Sequence, residues 1–297
     1  MNISRPTGHL LTEKVNPRTS NIDNLSTKEI VDLIAEEDHE VLRAVSKEKE
    51  NISKAIDVVL ESLNKNGRIF FVGAGTSGRL GVLEAAECPP TFGTDPDMIQ
   101  AIIAGGKEAV LNSIEGAEDD EDQAKNELKQ KELSKKDVVI GIAASSSTPF
   151  VKSALEYAKN NSCNTIFITC SPAESSNGVV ITLLVGPEVI VGSTRLKSGT
   201  ATKMVLNMIT TASMIKLGKT FGNLMVDVQP KSSKLRDRAA RIVSEISGVE
   251  ESEAKELLLK TEWNVKTAVL MKLKGISAKD SEKLLKKNGG ILKRALK

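Results

Sequence analysis

The sequence predicts an α/β fold built on a parallel β-sheet, followed by a small helical domain. Two observations predict the sheet: short apolar runs lack the alternation of a half-exposed strand, and helical stretches separate most of these runs. Strands that are apolar throughout are typical of parallel sheets buried on both faces. The last third of the chain shows only helical periodicity, which predicts the helical domain. We expect domains at residues 1–54, 55–228 and 229–297.

The N-terminal part should consist of an arm and two helices. Residues 1–22 are polar and lack periodicity, so we expect a partner or the main body to order them. A helix should begin at Ser26, because a capping hydroxyl there precedes a carboxylate three residues later, at Glu29. Its apolar residues recur at helical spacing: Ile30, Val31, Ile34, Val41, Leu42 and Val45. A second helix should cover residues 52–63.

The central part should form the sheet and its helices. The predicted strands are Arg68–Val72, Ile99–Ala104, Val138–Ala143, Thr165–Thr169 and Ile181–Val185. The helices expected among and after them cover residues 79–86, 109–116, 149–160 and 200–217. A linker at residues 228–234 contains Pro230. The C-terminal helices are expected at Leu235–Ser247, Ser252–Leu259, Val265–Leu273 and Ala278–Lys287.

Composition argues against several functional classes. The chain of 297 residues has a net charge of +2 and only 3% aromatic residues, which argues against a nucleic-acid partner. Residues 231–297 hold 17 Lys or Arg against 9 Asp or Glu, which we interpret as a solvated basic face of helices. No apolar run has the length of a membrane span or of a signal peptide, so no membrane partner is expected. Three widely spaced cysteines, Cys88, Cys163 and Cys170, fit the reducing cytoplasm.

A glycine-rich turn follows the first predicted strand. Gly73, Gly75 and Gly78 form the pattern G-x-G-x-x-G, which is typical of dinucleotide sites. Such a site also needs an acid after the next strand, whereas Asp95 and Asp97 precede that strand. The turn also suits a phosphate monoester, because glycines let backbone N–H groups approach an anion at a helix N-terminus. A tight turn without a ligand is the third interpretation. The candidate phosphate-binding residues are Gly75, Thr76, Ser77, Gly78 and Arg79.

Two further hydroxyl-rich segments follow predicted strands. The strand Val138–Ala143 leads into four hydroxyl residues and then Pro149 at an expected helix start: Ser145, Ser146, Ser147 and Thr148. Ligands of open parallel sheets lie at the carboxyl ends of strands, so two such turns can surround one phosphate. These residues can equally be ordinary helix caps. A third segment, before the long helix, offers Ser193, Arg195 and Lys197 as partners for a phosphate or carboxylate.

Several ordered motifs carry a family resemblance. They are Gly73-Ala-Gly-Thr-Ser-Gly-Arg79, Glu84-Ala-Ala-Glu-Cys-Pro-Pro90, Ile103-Ala-Gly-Gly106, Glu115-Gly-Ala-Glu-Asp119, Gly141-Ile-Ala-Ala-Ser145, the segment Gly192–Lys203, and Gly222-Asn-Leu-Met-Val-Asp227. Together they resemble the N-acetylmuramic acid 6-phosphate etherase family over nearly the whole chain, including the Asn16-Pro17 arm. The resemblance implies a sugar isomerase (SIS) domain, which is a three-layer αβα sandwich, and a homodimer. It also adds Lys203 to the substrate-binding residues and gives the C-terminal helices the shape of a small ubiquitin-associated-type (UBA-like) module.

The reaction that the resemblance implies belongs to amino-sugar catabolism and peptidoglycan recycling. The enzyme cleaves the D-lactyl ether at C3 of N-acetylmuramic acid 6-phosphate, giving N-acetylglucosamine 6-phosphate and D-lactate. By alignment with the family, the catalytic pair is Glu87 as general acid and Glu118 as the base at C2. Pro89 and Pro90 should end the helix that carries Glu87, and Gly116 should end the helix before Glu118. One carboxylate to remove the C2 proton and one carboxyl group to protonate the departing oxygen suffice for this chemistry, so we expect neither a metal nor a nucleotide cofactor.

One motif departs from the family. Gly-Arg usually follows the Ala-Ala-Ser, and here Ser146 and Ser147 stand in their place. If the missing arginine contributes to substrate binding, Arg79, Arg195 or a residue of the partner chain could replace it.

Other chemistry finds little support in the sequence. The two histidines, His9 and His39, do not have metal-ligand spacing, and His39 should lie on a helix surface. Cys88 is read as a buried neutral thiol in preference to a nucleophile. Two alternatives to the lyase are a non-catalytic sugar-phosphate-binding regulator and an aldose–ketose isomerase. A regulator should carry a DNA-binding motif or a second domain copy, and neither is evident.

Overall fold

A computed structural model describes residues 11–173, 178–230 and 232–297. His9 and the first ten residues of the predicted arm lie outside the described residues. The described chain divides into two compact units. The first unit comprises the chain up to Ala85 together with Asp97–Thr210, and the second comprises Ala86–Pro96 and Thr211–Lys297.

The first unit begins with three short 3-10 helices, Leu11–Glu13, Pro17–Thr19 and Ile22–Asn24. The helices α1 (Thr27–Glu37), α2 (His39–Lys47) and α3 (Lys49–Asn64) follow. Ser26 caps α1 in a complete capping box with Glu29, as predicted. The apolar pattern expected from Ile30 to Val45 belongs to two helices, because α1 ends before Asp38. Part of that pattern faces solvent, since Val31 is 59% and Leu42 is 55% exposed.

The core of the first unit is a parallel sheet of five strands in the described residues. They are β1 (Ile69–Gly73), β2 (Ile99–Ile103), β3 (Val138–Ile142), β4 (Asn164–Thr169) and β5 (Val179–Thr182), in the order β2-β1-β3-β4-β5. Every pairing is parallel, which confirms the predicted sheet. The fifth strand was predicted two to three residues late. Its last predicted residues, Leu183 and Val185, are buried but lie past the ladder.

Helices cover both faces of this sheet. On one face, Phe70 and Val139 share a core with buried residues of α5 (Glu121–Gln130) and α6 (Pro149–Asn160). On the other face, a Cβ added at Gly81 of α4 (Gly75–Phe92) would lie 2.8 Å from Phe71 Cβ. Successive side chains of a strand point to opposite faces, so α4 and α6 form outer layers of a three-layer αβα sandwich.

One predicted helix is absent, and one predicted helix end is wrong. Residues 109–116 do not form an α-helix. They contain the end of a 3-10 helix, Gly106–Val110, and irregular chain, because Gly105 and Gly116 adopt left-handed backbone angles on either side. Nor do the prolines end the helix after β1. Pro89 and Pro90 lie inside α4, which continues to Phe92. The ring of proline holds φ at a helical value, so the chain can stay helical through the pair although each proline lacks the N–H that would bond to the carbonyl four residues earlier.

The second unit is mainly helical. A two-stranded antiparallel hairpin, β6 (Thr220–Phe221) and β7 (Leu224–Met225), follows α7 (Lys197–Lys216), whose last turns belong to this unit. The remaining helices are α8 (Ser233–Ser247), α9 (Glu251–Lys260), α10 (Val265–Lys274), α11 (Ala278–Lys287) and α12 (Leu292–Ala295). The four predicted C-terminal helices are confirmed, and α12 is an additional one. Their core is aliphatic, with Val243, Leu258 and Leu270 fully buried.

Within the described ranges, no helix combines the length and the apolar character that crossing a membrane requires. All three cysteines are buried, as expected for Cys88. Burial raises the pKa of Cys163 to about 11 and that of Cys170 to about 12.

Candidate functional site

Two polar turns lie side by side at the carboxyl edge of the sheet. In the register of the central strands, Gly73 at the end of β1 pairs with Ile142 at the end of β3. The glycine turn, residues 73–78, therefore adjoins the serine turn, residues 143–148, as the sequence predicted. The neighbouring strand β2 meets the same edge, where Ala104 N donates to Gly73 O at 3.1 Å.

The glycine turn leads directly into α4. Gly75 has a φ of +52°, which a side chain would strain. A Cβ at Gly73 would lie 2.7 Å from Gly78 N, so the turn closes only without a side chain there. Gly78 N makes an early helical bond, to Ala74 O at 3.1 Å. The N–H groups of the first helical turn have no intrahelical partner and are available to an anion. Thr76 and Ser77 lie in this turn and are half-buried.

The serine turn has its own hydrogen-bond network. Ser147 Oγ donates to Ser145 Oγ at 3.1 Å, and Ser145 Oγ lies 3.4 Å from Thr148 Oγ1. Ser146 adopts a left-handed φ of +55°. Thr148 is the N-cap residue of α6, but its side chain makes no capping hydrogen bond. A second helix N-terminus with nearby hydroxyl groups therefore stands beside the first.

The start of α7 also approaches the glycine turn. A Cβ added at Gly199 would lie 3.5 Å from Thr76 Cγ2. Ser193 and Arg195 precede this helix on the connecting loop, which we define as residues 186–196 between β5 and α7. Arg195 is exposed and has no ion-pair partner within the described ranges, so its guanidinium is available to an anion.

Lys197 and Lys203 are engaged with carboxylates. The long helix begins at Lys197, three residues earlier than predicted, and Lys197 is 1% exposed. Its Nζ donates to Glu37 Oε2 at 2.6 Å, so burial and pairing withdraw this ammonium from the solvent-facing role expected of it. Lys203 pairs with buried Glu84, whose other oxygen accepts from Thr210 Oγ1 at 2.7 Å.

Arg79 contacts the chain that leads to Glu118. Its Nε donates to Val110 O at 3.0 Å and its Nη2 to Asn112 O at 2.8 Å. The acceptors lie at the end of the 3-10 helix after β2 and in the irregular chain that follows it. Arg79 therefore fixes the segment next to the glycine turn while its own donors are partly occupied.

Glu118 lies in an acidic loop, which we define as residues 113–120. It belongs to a 3-10 helix, Ala117–Asp119, in place of the predicted position after an α-helix. The residue is exposed, yet its pKa is raised, first by desolvation of its carboxyl group and then by the negative charges of Asp119 and Glu115. The pKa of this carboxyl group is therefore closer to neutral pH than that of an ordinary glutamate, which suits general acid–base catalysis.

Glu87 lies inside α4 and not at its end, because the helix continues through the prolines. It is exposed, whereas its neighbour Cys88 is buried. Glu87 belongs to the second unit and Glu118 to the first.

The structure also bears on the dinucleotide alternative. The chain after β2 continues as Ala104-Gly105-Gly106, so no carboxylate stands where a ribose would be recognised. Gly105 N donates to Gln123 Oε1 at 3.0 Å instead. Among the described residues, no three His, Cys, Asp or Glu side chains are grouped as metal ligands. His39 is exposed at the start of α2, as expected.

Three buried glutamates near these elements were not predicted: Glu37, Glu84 and Glu188. Glu188 is fully buried, and its two oxygens accept from Lys197 N and Ser198 N, each at 2.9 Å. It thereby caps α7 from a distance of nine residues. The chain contains 39 Asp and Glu in total, and nothing in the local sequence distinguishes these three from exposed ones.

The chain is similar to several known proteins. Residues 51–159 match the glucokinase regulatory protein N-terminal SIS domain, and residues 222–280 match the C-terminal lid domain of glucokinase regulatory protein. An N-acetylmuramic acid 6-phosphate etherase of Picosynechococcus sp. is 48% identical over 300 residues, covering 100% of both chains. One of Clostridium acetobutylicum is 50% identical over 97% of this chain and 96% of its own. A phosphoheptose isomerase structure from Francisella tularensis is 13% identical, with a TM-score of 0.49 over 63% of this chain and 100% of its own.

Proposed function

This chain belongs to the N-acetylmuramic acid 6-phosphate etherase family, and we propose that Glu118 and Glu87 are its catalytic pair. The enzyme is a carbon–oxygen lyase that cleaves the D-lactyl ether of N-acetylmuramic acid 6-phosphate, giving N-acetylglucosamine 6-phosphate and D-lactate. The observation that carries this function is near-50% identity to etherases along essentially the whole chain. The residues that perform the reaction are our proposal, based on alignment with the family.

The chemistry is an elimination followed by a hydration. In the open-chain sugar, the C2 proton is acidic because it is alpha to the C1 aldehyde. Glu118 removes this proton, the C2–C3 double bond forms, and the C3–O bond breaks as Glu87 protonates the departing lactate oxygen. Water then adds at C3 with the proton roles reversed, which restores a C2–H bond and completes N-acetylglucosamine 6-phosphate.

The phosphate binds at the paired helix N-termini. The first turns of α4 and α6 direct free N–H groups and the positive ends of two helix dipoles to one edge of the sheet. Hydroxyl groups from both turns supply the further donors that a phosphate monoester needs. The residues assigned to this site are Gly75, Thr76, Ser77, Gly78, Ser145, Ser146, Ser147 and Thr148. With Ser146 and Ser147 in place of the family's Gly-Arg, the exposed Arg195 is the available guanidinium.

The assignment of Glu118 as base comes from alignment with the family, and its electrostatics support it. Its pKa is raised by desolvation and by two neighbouring carboxylates, which makes it a stronger base than an ordinary glutamate once it is ionised. Arg79 fixes the segment that precedes it and so acts as a positioning residue. Glu87 is exposed on α4, and its role as general acid is the one implied by alignment with the family. Lys197 and Lys203 have carboxylate partners, so we assign both lysines structural roles. Ser193 stays a proposed substrate-binding residue.

We further propose that the protein is a homodimer and that it is located in the cytoplasm. We also propose the domain boundaries inferred from the sequence, at residues 1–54, 55–228 and 229–297. The segments around Thr12 and Gly192 are hydrogen-bonded, and they expose large apolar side chains: Val15, Ile190 and Val191. Exposed apolar side chains grouped in this way favour a protein partner. Light scattering should give twice the chain mass, and Ile190→Asp should shift the protein toward monomer. A monomeric wild-type chain would exclude this part of the proposal.

The test of the catalytic pair is a comparison of two substitutions in deuterated buffer. Glu118→Gln should lower kcat for D-lactate release by roughly 10²- to 10⁴-fold, the usual contribution of a general base, while calorimetry still detects phosphosugar binding. Glu87→Gln should also stop lactate release. Because Glu118 remains in that variant, the C2 proton should still exchange with deuterium, whereas Glu118→Gln should lose the exchange as well.

The matched control is Glu121→Gln, which removes an exposed carboxylate at the start of α5. It should keep wild-type turnover. If Glu118→Gln retains activity, this glutamate does not belong to the pair. If the wild-type chain binds phosphosugars but releases no lactate, the regulator is the better description; interconversion of an aldose and a ketose phosphate would identify an isomerase.

A further inference from the structure

Glu37 and Lys197 form an ion pair buried inside the first unit. The side chains are 4% and 2% exposed, and Lys197 Nζ lies 2.6 Å from Glu37 Oε2. Burying two charges costs several kcal/mol per ion in desolvation, so such a pair stabilises a fold less than apolar side chains of the same volume do. The pair therefore calls for an explanation other than stability, and one documented use of buried ionic groups is to fix how segments align.

Three separate segments converge on the Glu37 carboxylate. Lys197 is the first residue of α7, and Glu37 is the last residue of α1. From the N-terminal segment, Asn16 Nδ2 donates to Glu37 Oε2 at 2.7 Å and Arg18 Nη1 to Oε1 at 3.0 Å. Every oxygen of this carboxylate accepts at least one hydrogen bond, so the carboxylate has one fixed orientation. Lys197 is thereby held at its far end by Glu37.

The other end of Lys197 is fixed as well. Its backbone N–H donates to Glu188 Oε2, and Glu188 belongs to the connecting loop. The N-terminal segment holds the same loop through Asn16 Nδ2 to Pro187 O at 3.3 Å and Thr19 Oγ1 to Val189 O at 2.8 Å. The connecting loop and the first turn of α7 are thus tied to α1 and the N-terminal segment by buried hydrogen bonds.

The start of α7 borders the glycine turn, and the connecting loop leads directly into it. Gly199, in the first turn of α7, lies against Thr76 of the glycine turn, and the connecting loop carries Ser193 and Arg195. We propose that Glu37 is a positioning residue for phosphosugar binding, which acts by holding Lys197 and so placing the connecting loop and the start of α7 against the glycine turn. This inference rests on the proposed function, because it assigns the phosphate to that turn.

The distinguishing readout is the KM against kcat. A loop that contacts the phosphate binds substrate and transition state alike, so its displacement raises KM and leaves kcat nearly unchanged. Glu37→Gln keeps the size of the side chain but leaves Lys197 charged and buried without a counter-charge. We expect KM for N-acetylmuramic acid 6-phosphate to rise at least about tenfold, with kcat within about threefold of wild type.

A neighbouring glutamate offers the matched control. Glu36 also binds Arg18, at 2.5 Å to Nη2, but its side chain is 63% exposed. Glu36→Gln should leave KM and kcat unchanged. The double variant Glu37→Gln with Lys197→Met removes both charges. Its KM should therefore rise by much less than the product of the fold-changes in KM of the two single variants. Circular dichroism at 15 °C establishes that each variant is folded.

The outcomes separate this inference from the proposed function. A folded Glu37→Gln with wild-type KM overturns the positioning role, as does a variant in which kcat alone falls. If Glu37→Gln does not fold, Lys197→Met and the double variant decide. A KM raised above wild type to the same extent in both supports a role of Glu37 through Lys197, and a wild-type KM in both overturns it. If the wild-type chain releases no lactate, the proposed function fails, and the Kd of N-acetylglucosamine 6-phosphate for the same variants then decides whether Glu37 positions the site.

Discussion

Glu37 and Glu118 belong to the same unit, but their surroundings shift their pKa values in opposite directions. Burial alone would raise the pKa of Glu37, but hydrogen bonds from Lys197 and Asn16 outweigh burial, so its pKa is lowered. Desolvation raises the pKa of Glu118, and the nearby carboxylates of the acidic loop raise it further. A carboxylate held by cations stays ionised and fixed, whereas one beside other carboxylates exchanges its proton closer to neutral pH.

The two environments also contribute to stability with opposite signs. The lowered pKa of Glu37 means that its contribution is present above its unfolded pKa, about 4.3, and is lost as the pH falls through the folded value. The raised pKa of Glu118 has the reverse effect, since its contribution is present below the unfolded pKa and is lost as the pH rises through the folded value. At neutral pH the fold is therefore more stable with Glu37 ionised than with Glu37 protonated, and the reverse holds for Glu118.

The largest expected effect concerns Asp137, which is a buried carboxylate paired with a cation, as Glu37 is. Asp137 precedes β3 and is held by Arg68, which precedes β1, with Nη2 to Oδ2 at 2.8 Å and the Arg68 backbone N to Oδ1 at 2.8 Å. Its side chain is 2% exposed. Asp137→Asn should lower the free energy of unfolding by about 3 kcal/mol at pH 7, because it leaves the guanidinium without its counter-charge. Urea denaturation followed by circular dichroism measures this loss.

The pH dependence of that loss has a defined sign. Burial would raise the pKa of Asp137, but hydrogen bonds from Arg68 and Ser134 outweigh burial and lower it. The stability gap between wild type and Asp137→Asn should therefore be full above about pH 4, the usual aspartate value, and should close as the pH falls below it. Asp122→Asn is the control, since that side chain is 88% exposed. Equal losses in the two variants would show that Asp137 is not stabilised by its cation.

An intermediate effect is expected in the acidic loop. Asp119→Asn removes a negative charge that raises the pKa of Glu118, so the acidic limb of the kcat profile should move to lower pH. Exposed like charges interact by about 1 kcal/mol or less, so turnover below the midpoint should increase by at most roughly fivefold. Initial rates of lactate release from pH 4 to 8 measure the shift.

The control for the acidic loop is an exposed carboxylate elsewhere in the unit. Asp57→Asn on α3 should leave the profile unchanged. A limb that moves to higher pH in Asp119→Asn, or that does not move, would show that the charge of Asp119 does not act on the group that controls turnover.

The sequence predicted the sheet and the two turns at its carboxyl edge because their signals are local. Apolar runs without alternation predict buried parallel strands, and glycine or hydroxyl residues directly after a strand predict a turn at the sheet edge. The parallel pairing of β1 with β3 then brings the two turns together. The predicted end of α4 was wrong because two local rules compete at Pro89 and Pro90. Proline usually ends a helix, but its fixed φ is also compatible with one, and here both prolines lie inside α4.

The burial of these carboxylates could not be predicted from local sequence signals. Glu37 contacts Lys197 across 160 residues, and Lys203 contacts Glu84 across 119. Neither spacing is a motif, and composition suggests that each glutamate is on the surface. Lys197 was therefore expected to face a ligand, because a basic residue in a loop is usually solvated. The helix instead begins at Lys197, and its side chain is enclosed between α1 and the connecting loop.

The smallest expected effect isolates burial from distance. Lys28 and Asp32 also lie on α1, and their Nζ–Oδ2 distance is 2.6 Å, the same as in the pair of Lys197 with Glu37. Their side chains, however, are 85% and 58% exposed. Water screens such a pair, so Lys28→Gln should change the free energy of unfolding by no more than about 0.5 kcal/mol, and KM should stay at the wild-type value. Urea denaturation of both variants in one buffer makes the comparison direct. A loss from Lys28→Gln as large as that from Glu37→Gln would mean that the distance between charges, and not their burial, determines what an ion pair on this helix contributes.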